Sequence, residues 1–284
     1  MKIVGAISSG SGSINEDGFG FVVSNNHVDA AWIFDGVTGI NTRNYLPGGS
    51  DAAWFVLRAN AHLQELAANT LSLRDILTQL VGRLIMEWRD IAPTLDIPPD
   101  YDPPAACLTL VKNYRGCWRG LRLGDSCLLA NLAAGGRYSL IGSPNNEFDK
   151  WLSENTKKRR AAGMTDIKTL LAEFRPQLIA ARKTRNTPGG YSILESSTAA
   201  LNHVEFINLG AVSSVLLCTD GFYRAVDCYQ LFSDQELFSR SLCEGGVDYV
   251  LQKIRNAEAE DPHCMKFKRF KPADDATALV LQVE

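Results

Sequence analysis

The run Ala30–Gly39, AAWIFDGVTG, constrains this chain more than any other stretch. Ala31-Trp32-Ile33-Phe34 is too apolar for a surface loop and too short for a buried helix, so it reads as a buried strand. That strand ends on Asp35-Gly36. Taken alone, Asp-Gly after a strand is a hairpin signal. The pattern recurs, however. Ser214–Asp220, SVLLCTD, is a second apolar strand that runs into Asp220-Gly221. Asn15-Glu16-Asp17-Gly18 stands just before the strand-like Phe19–Val23, and Asp274-Asp275 just before Ala276–Val283. Four carboxylate sites thus lie at strand ends, far apart in sequence. If the strands pack together, the acids converge. Each then resists ionising unless a cation sits among them. Oxygen-only clusters suit magnesium, manganese or calcium.

A chain of 284 residues with 45% hydrophobic residues can bury a sizeable core. Its net charge of −3 argues against a nucleic-acid binder driven by overall charge. No apolar run approaches the roughly 20 residues that span a bilayer, and Met1–Ile7 has no signal-peptide pattern. The seven cysteines are scattered, odd in number and without a C-x-x-C, which favours reduced thiols in a cytoplasm over a disulfide framework.

In chain order, Lys2–Ser8 reads as a first strand. The Gly/Ser-rich loop Ser8–Ser13 lacks the Lys-Ser/Thr ending of a P-loop. Phe19–Ser24 and Val28–Phe34 read as a hairpin turning at Asn25-Asn26. One helix starts at Ser50 or Asp51 and runs to about Asn69. Ser72 caps a second, with Asp75 in the acidic position of a capping box. Its stripe Ile76, Leu77, Leu80, Val81, Leu84, Ile85 and Trp88 is a core face. Prolines at 93, 98, 99, 103 and 104 exclude helix there. Cys107–Asn113, Cys117–Leu123 and Cys127–Leu132 read as three successive strands.

A polar, basic segment at 143–190 then breaks the β pattern and reads as two helical pieces. It is either a solvated insertion or a mobile flap whose charge attracts an anionic substrate. Tyr191–Leu194, His203–Leu209 and Ser214–Cys218 return to strands. One long helix is expected from Ser233 to about Glu260, then a basic loop and the closing strand. The order argues one α+β domain over 1–284 with a layered antiparallel core.

Five motifs, NEDG at 15–18, FDGVTG at 34–39, RLGDS at 122–126, LLCTDG at 216–221 and DDAT at 274–277, resemble those of the metal-dependent protein phosphatases of the type 2C family, in a bacterial form. They occur in the family's order and span essentially the whole chain. The resemblance implies a four-layer α-β-β-α sandwich of two antiparallel sheets, with a site for two divalent cations, manganese or magnesium, at one end. It makes Asp35 the carboxylate that bridges the two ions and the Gly36 carbonyl a ligand of one. Asp220 and Asp274 match aspartates that hold the other. Asp17 matches a further carboxylate, Glu16 acts through water, and Asp125 resembles a residue of a third, weaker site. Asp17, Asp35 and Asp220 are then the residues on which catalysis rests. A metal-activated water attacks phosphorus directly, with no phosphoenzyme and no cysteine. The histidines at 27, 62, 203 and 263 fall in no matched motif.

The chain departs from the family at two places. Many members carry a phosphate-gripping arginine where this chain has Gly12, which should weaken substrate binding. Arg43 or a basic flap residue is a candidate replacement. Where the family often has a third-site aspartate, this chain has Arg224, which either contacts phosphate or pairs with a neighbouring carboxylate. The leading expectation is dephosphorylation of phosphoserine or phosphothreonine in proteins by a cytoplasmic monomer, without nucleic-acid or membrane partners. The alternatives are a pseudophosphatase that binds phosphoproteins without turnover and a phosphatase of small metabolites.

Overall fold

The structure is a computed structural model that describes residues 1–37, 39–132, 138–142 and 147–283. Thr38 of FDGVTG and the first four residues of the 143–190 segment therefore lie outside the described residues.

Two antiparallel sheets form the centre. One has the order β1-β11-β10-β6-β7, from Lys2–Ser9, Ala276–Gln282, Val212–Cys218, Cys127–Leu132 and Tyr138–Ile141. The other has the order β2-β3-β4-β5-β9, from Gly18–Ser24, His27–Gly36, Ala105–Tyr114, Cys117–Leu123 and Glu205–Gly210, with β8 (Leu194–Glu195) paired to β4. Helices α1 (Asp51–Ala67) and α2 (Leu73–Ile91) cover the second sheet. Helices α5 (Asp220–Asp227), α6 (Asp234–Ser241) and α7 (Gly246–Glu260) cover the first. The result is the expected α-β-β-α sandwich.

Alternation along β3 explains why its sequence is apolar throughout. Trp32 and Phe34 face α1 and α2. Ala31 and Ile33 face the other sheet, against Leu128, Val215, Leu217 and Leu279. A strand covered on both faces has no polar side to show. Its hairpin partner turns as the sequence predicts, with Asn25 at φ 48° and Asn26 at φ 64°, a left-handed pair that matches the twist of the strands. Ser50 and Ser72 cap α1 and α2. No helix among the described residues is long and apolar enough to cross a membrane.

The three successive strands read at 107–132 are present as β4, β5 and β6, and at Gly124-Asp125-Ser126 the chain crosses to the other sheet, where β6 pairs with β10. Two local expectations need correction. A short helix, α5, begins at Asp220, where the sequence reads as a strand ending in a turn. The single helix from Ser233 to Glu260 is two. Ser233 and Glu236 close a capping box on α6, and α7 restarts after Gly245, which is left-handed at φ 65°.

The 143–190 segment carries α3 (Glu147–Ala161) and α4 (Ile167–Arg182). Several of its basic side chains are committed within the chain. Arg159 pairs with Glu173, Arg175 donates to the Ile40 carbonyl, and Arg185 pairs with Asp102 at 2.9 Å and Glu195 at 3.0 Å. Arg160 is buried and donates to the carbonyls of Arg269 and Phe270 at 2.8 and 2.7 Å.

Those carbonyls belong to the 261–271 loop, which is held by Asp261. Burial alone would raise the Asp261 carboxyl. The N–H groups of Phe267 and Met265 and the Arg269 guanidinium, 2.6 Å away, outweigh it and hold the carboxyl at about 2. A depressed acid contributes stability above its unfolded value of about 3.9, and that stability is lost as pH falls through about 2. Asp261→Asn leaves Arg269 buried without its partner and is expected to destabilise the fold by about 3 kcal/mol at pH 7. Denaturant melts of the two proteins at pH 7 measure this, and the difference should shrink toward pH 2.

Candidate metal centre

Strand parity places the site. Asp35 continues the alternation of Ala31 and Ile33, so its carboxylate emerges between the two sheets at one end of the sandwich. Thr219 continues Val215 and Leu217, and Thr277 continues Leu279 and Leu281, on the same inner face. Cys107 lies directly opposite Asp35 in the β3–β4 ladder. Ligand atoms of Asp35, Cys107 and Asp125 all lie within 4.8 Å of one another.

A hydrogen-bond chain fixes Asp17 in this group. Thr219 Oγ1 donates to Asp17 Oδ2 at 2.9 Å and accepts the Thr277 N–H at 2.9 Å. Thr277 meets Ser8 at 2.7 Å, and Asn15 donates to Ser8 at 2.8 Å. Asp275 ties down the Gly/Ser loop by accepting the N–H groups of Ser11 and Glu16, each at 2.7 Å. Ser50, the cap of α1, also donates to Glu16.

Both Asp-Gly pairs owe their glycine to close approach and not to a turn. A Cβ at Gly36 would sit 2.3 Å from the Glu16 carbonyl oxygen, and one at Gly221 would sit 1.9 Å from that of Asp275. The Gly36 N–H donates to that Glu16 carbonyl at 3.1 Å. The glycines thus let the first motif close on the second and the fifth on the fourth.

The electrostatics divide the cluster. Burial, then repulsion from Asp220 and Asp17, pushes the Asp35 carboxyl well up. Burial does the same to Asp17, with Asp220 and Asp274 adding to it against the Thr219 hydroxyl. Burial and Asp220 push Asp125 up to about 7. Among the described residues no lysine or arginine pairs with Asp17 or Asp35. Asp274 differs: burial would raise it, but Arg224 and Lys271 hold it below the usual carboxylate range. Arg224 Nη2 lies 2.5 Å from Asp274 and 3.6 Å from Asp220, and Lys271 pairs with Asp274 as well.

Asp17, Asp35, Asp125, Asp220, Asp274 and the Gly36 backbone thus gather at one end of the sandwich, with Glu16 bound to the loop beside them. Hard oxygen donors carrying uncompensated negative charge at the Asp35 end are the donor set a divalent cation requires. The Cys107 thiol donates to Asp125 at 3.1 Å, and burial with the two aspartates pushes it well up, so it is a poor nucleophile.

The two phosphate candidates are placed differently. Arg43 is exposed, 3.8 Å from Asp96 and 4.6 Å from the Tyr45 ring centre. Arg224 is turned onto the carboxylates. A Cβ at Gly12 would meet nothing within 4 Å. Thr219, Thr277, Ser8, Ser50, Cys107 and Lys271 were not legible as site residues. Thr219, Thr277 and Ser8 look like ordinary strand residues, Ser50 like a helix cap alone, and only the β3–β4 register singles out Cys107.

Comparisons with known proteins agree with this fold, and three of the solved structures that share it illustrate the likeness. The serine/threonine phosphatase Stp1 of Staphylococcus aureus superposes with a TM-score of 0.56 at 13% identity, covering 100% of this chain and 98% of that one. The serine/threonine phosphatase PstP/Ppp of Mycobacterium tuberculosis gives 0.53 at 16% identity, covering 99% and 97%. The catalytic domain of PstP, solved with two manganese ions, gives 0.51 at 15% identity, covering 97% and 95%. A search of curated proteins finds no match. The family model for protein phosphatase 2C matches residues 4–257, and the chain belongs to that family.

Proposed function

We propose that this chain is a metal-dependent phosphomonoesterase whose substrates are phosphoserine and phosphothreonine in proteins. One observation carries the reading: carboxylates from strand ends far apart in sequence converge at one end of the sandwich, and among the described residues the Asp35 end has no cationic partner. Asp35, Asp17, Asp125, Asp220, Asp274 and the Gly36 carbonyl would hold divalent ions, manganese or magnesium. Bound there, such ions would screen the phosphate charge and lower the pKa of water, so that hydroxide is available as the nucleophile near neutral pH.

The chain's own residues set the conditions. Thr219 keeps Asp17 facing the centre. Asp275 and Ser50 hold Glu16 and its loop against Gly36. A cavity of about 710 Å³ adjoins the loop that follows Asp35, walled by Tyr45 and Tyr101 on one side and by Arg182 and Lys183 of the inserted segment on the other. Acids, Asp100, Asp102 and Glu195, line it beside these bases. The serine/threonine phosphatases that share the fold support a phosphorylated polypeptide over a small metabolite.

The open space at Gly12 and the pairing of Arg224 with Asp274 support a second reading, a module that binds phosphoproteins without turnover. Hydrolysis of para-nitrophenyl phosphate in manganese, with EDTA and Asp220→Asn as controls, separates the two. The phosphatase requires turnover that EDTA and the substitution both remove. Manganese uptake without turnover would leave only the binding module.

A further inference from the structure

The acidic cluster is not electrically uniform. Asp17, Asp35 and Asp125 have no cationic partner among the described residues. Asp274 has two. Its Oδ2 lies 2.5 Å from Arg224 Nη2, and its Oδ1 pairs with Lys271. Arg224 stands one helical turn after Asp220 on α5, so the same Nη2 reaches back to within 3.6 Å of that carboxylate. Two carboxylates and two cations balance at this end. At the other, three carboxylates stand without compensation.

Resting on the proposed metal centre, we infer that Arg224 and Lys271 are built-in counter-ions for the Asp274 end of the cluster. The free protein takes up one divalent cation readily, at the Asp35 end, and a second only in competition with its own arginine.

Three features support this role. The Arg224 side chain is 15% exposed, and its Nη1 is buried without a hydrogen-bond partner, so the guanidinium does not offer a free edge to an incoming phosphate. The backbone on both sides of the contact is fixed: Arg255 donates to the Asp274 carbonyl at 2.7 Å, and the Gly221 Cα packs against Asp275 too closely to admit a methyl group. Finally, a divalent ion at Asp220 and Asp274 must either share the space with two cations or displace Arg224 from its counter-charges. Breaking a buried ion pair weakens such uptake on the order of 100-fold. Among the described residues nothing equivalent opposes an ion at Asp35.

The test is a manganese titration of the metal-stripped full chain, with free Mn²⁺ followed by its electron paramagnetic resonance signal. The wild type should take up one ion, and a second on the order of 100-fold more weakly. The double substitution Arg224→Gln/Lys271→Met should take up two ions with affinities within about tenfold of each other. Two comparable ions in the wild type overturn the inference and leave the phosphatase reading standing. So does a folded double variant that still takes up only one. Should the double variant not fold, Arg224→Lys decides: it keeps the cation, so one ready ion is expected, and two comparable ions refute the counter-ion role. No uptake by any of these folded proteins removes the metal centre itself and both readings with it.

Discussion

Asp35→Asn is expected to lower metal-dependent phosphate release roughly 10²–10³-fold while making the metal-free protein more stable. The two effects have one cause. Burial and the neighbouring aspartates push the Asp35 carboxyl well up, and no side-chain cation among the described residues compensates it. The charge the site needs in order to hold a cation is a charge the empty fold resists. Removing it should add about 1–3 kcal/mol to the stability of the metal-free protein at pH 7.

The sign follows from proton binding. The unfolded chain titrates its aspartates near pH 3.9, whereas Asp35 and Asp17 are raised and Asp125 stands at about 7. Between those values the folded state binds more protons than the unfolded one, so stability falls as pH rises. Asp274 is depressed, and its contribution is lost only as pH falls below the ordinary carboxylate range. In EDTA, urea melts of the wild type should therefore show lower stability at pH 7.5 than at pH 5. The slope should be shallower in Asp35→Asn, and saturating manganese should flatten it in the wild type. A pH-independent melt, or an Asp35→Asn protein less stable than the wild type, would mean that the carboxylates are not in electrostatic conflict.

Much of this arrangement can be read from residue order, for an identifiable reason. The runs AAWIF and SVLLC are covered on both faces, so their composition alone marks them as buried strands. The carboxylates that end them stand out against that background. What escapes the sequence depends on pairing between distant segments. The Gly124-Asp125-Ser126 corner looks like one more hairpin turn, because nothing local says that β6 leaves for the other sheet. Cys107 looks like any strand cysteine until the register sets it opposite Asp35. Arg224 can be flagged as a cation where the family often has an acid. Its hold on Asp274, fifty residues away, follows only once the start of α5 and the 274–275 turn are brought together. The helix α5 itself is hidden because its first residues, Asp220-Gly221, carry the signature of a turn.

That misread pair supplies a strong mechanical test. Gly221→Ala should destabilise the protein by about 2–4 kcal/mol and lower turnover on the order of 100-fold. The glycine's φ is not left-handed, so an alanine would not be strained by its own backbone. The obstacle is the neighbour: the new Cβ would lie 1.9 Å from the Asp275 carbonyl oxygen and 3.1 Å from the Asp274 Cβ. Backbone must move, and the backbone in question carries Asp274 while Asp275 holds the Ser11–Glu16 loop. A displacement there separates Asp220 from Asp274 and loosens Glu16 in one step. Gly82→Ala is the matched control. Gly82 lies inside α2 with nothing within 4 Å of its added methyl, so there the change should stabilise by about 1 kcal/mol through helix propensity alone. Opposite signs for the two substitutions in denaturant melts would show that the second Asp-Gly is a point of contact between distant motifs. Equal tolerance would show that the 274–275 turn yields freely and that the site is not positioned through it.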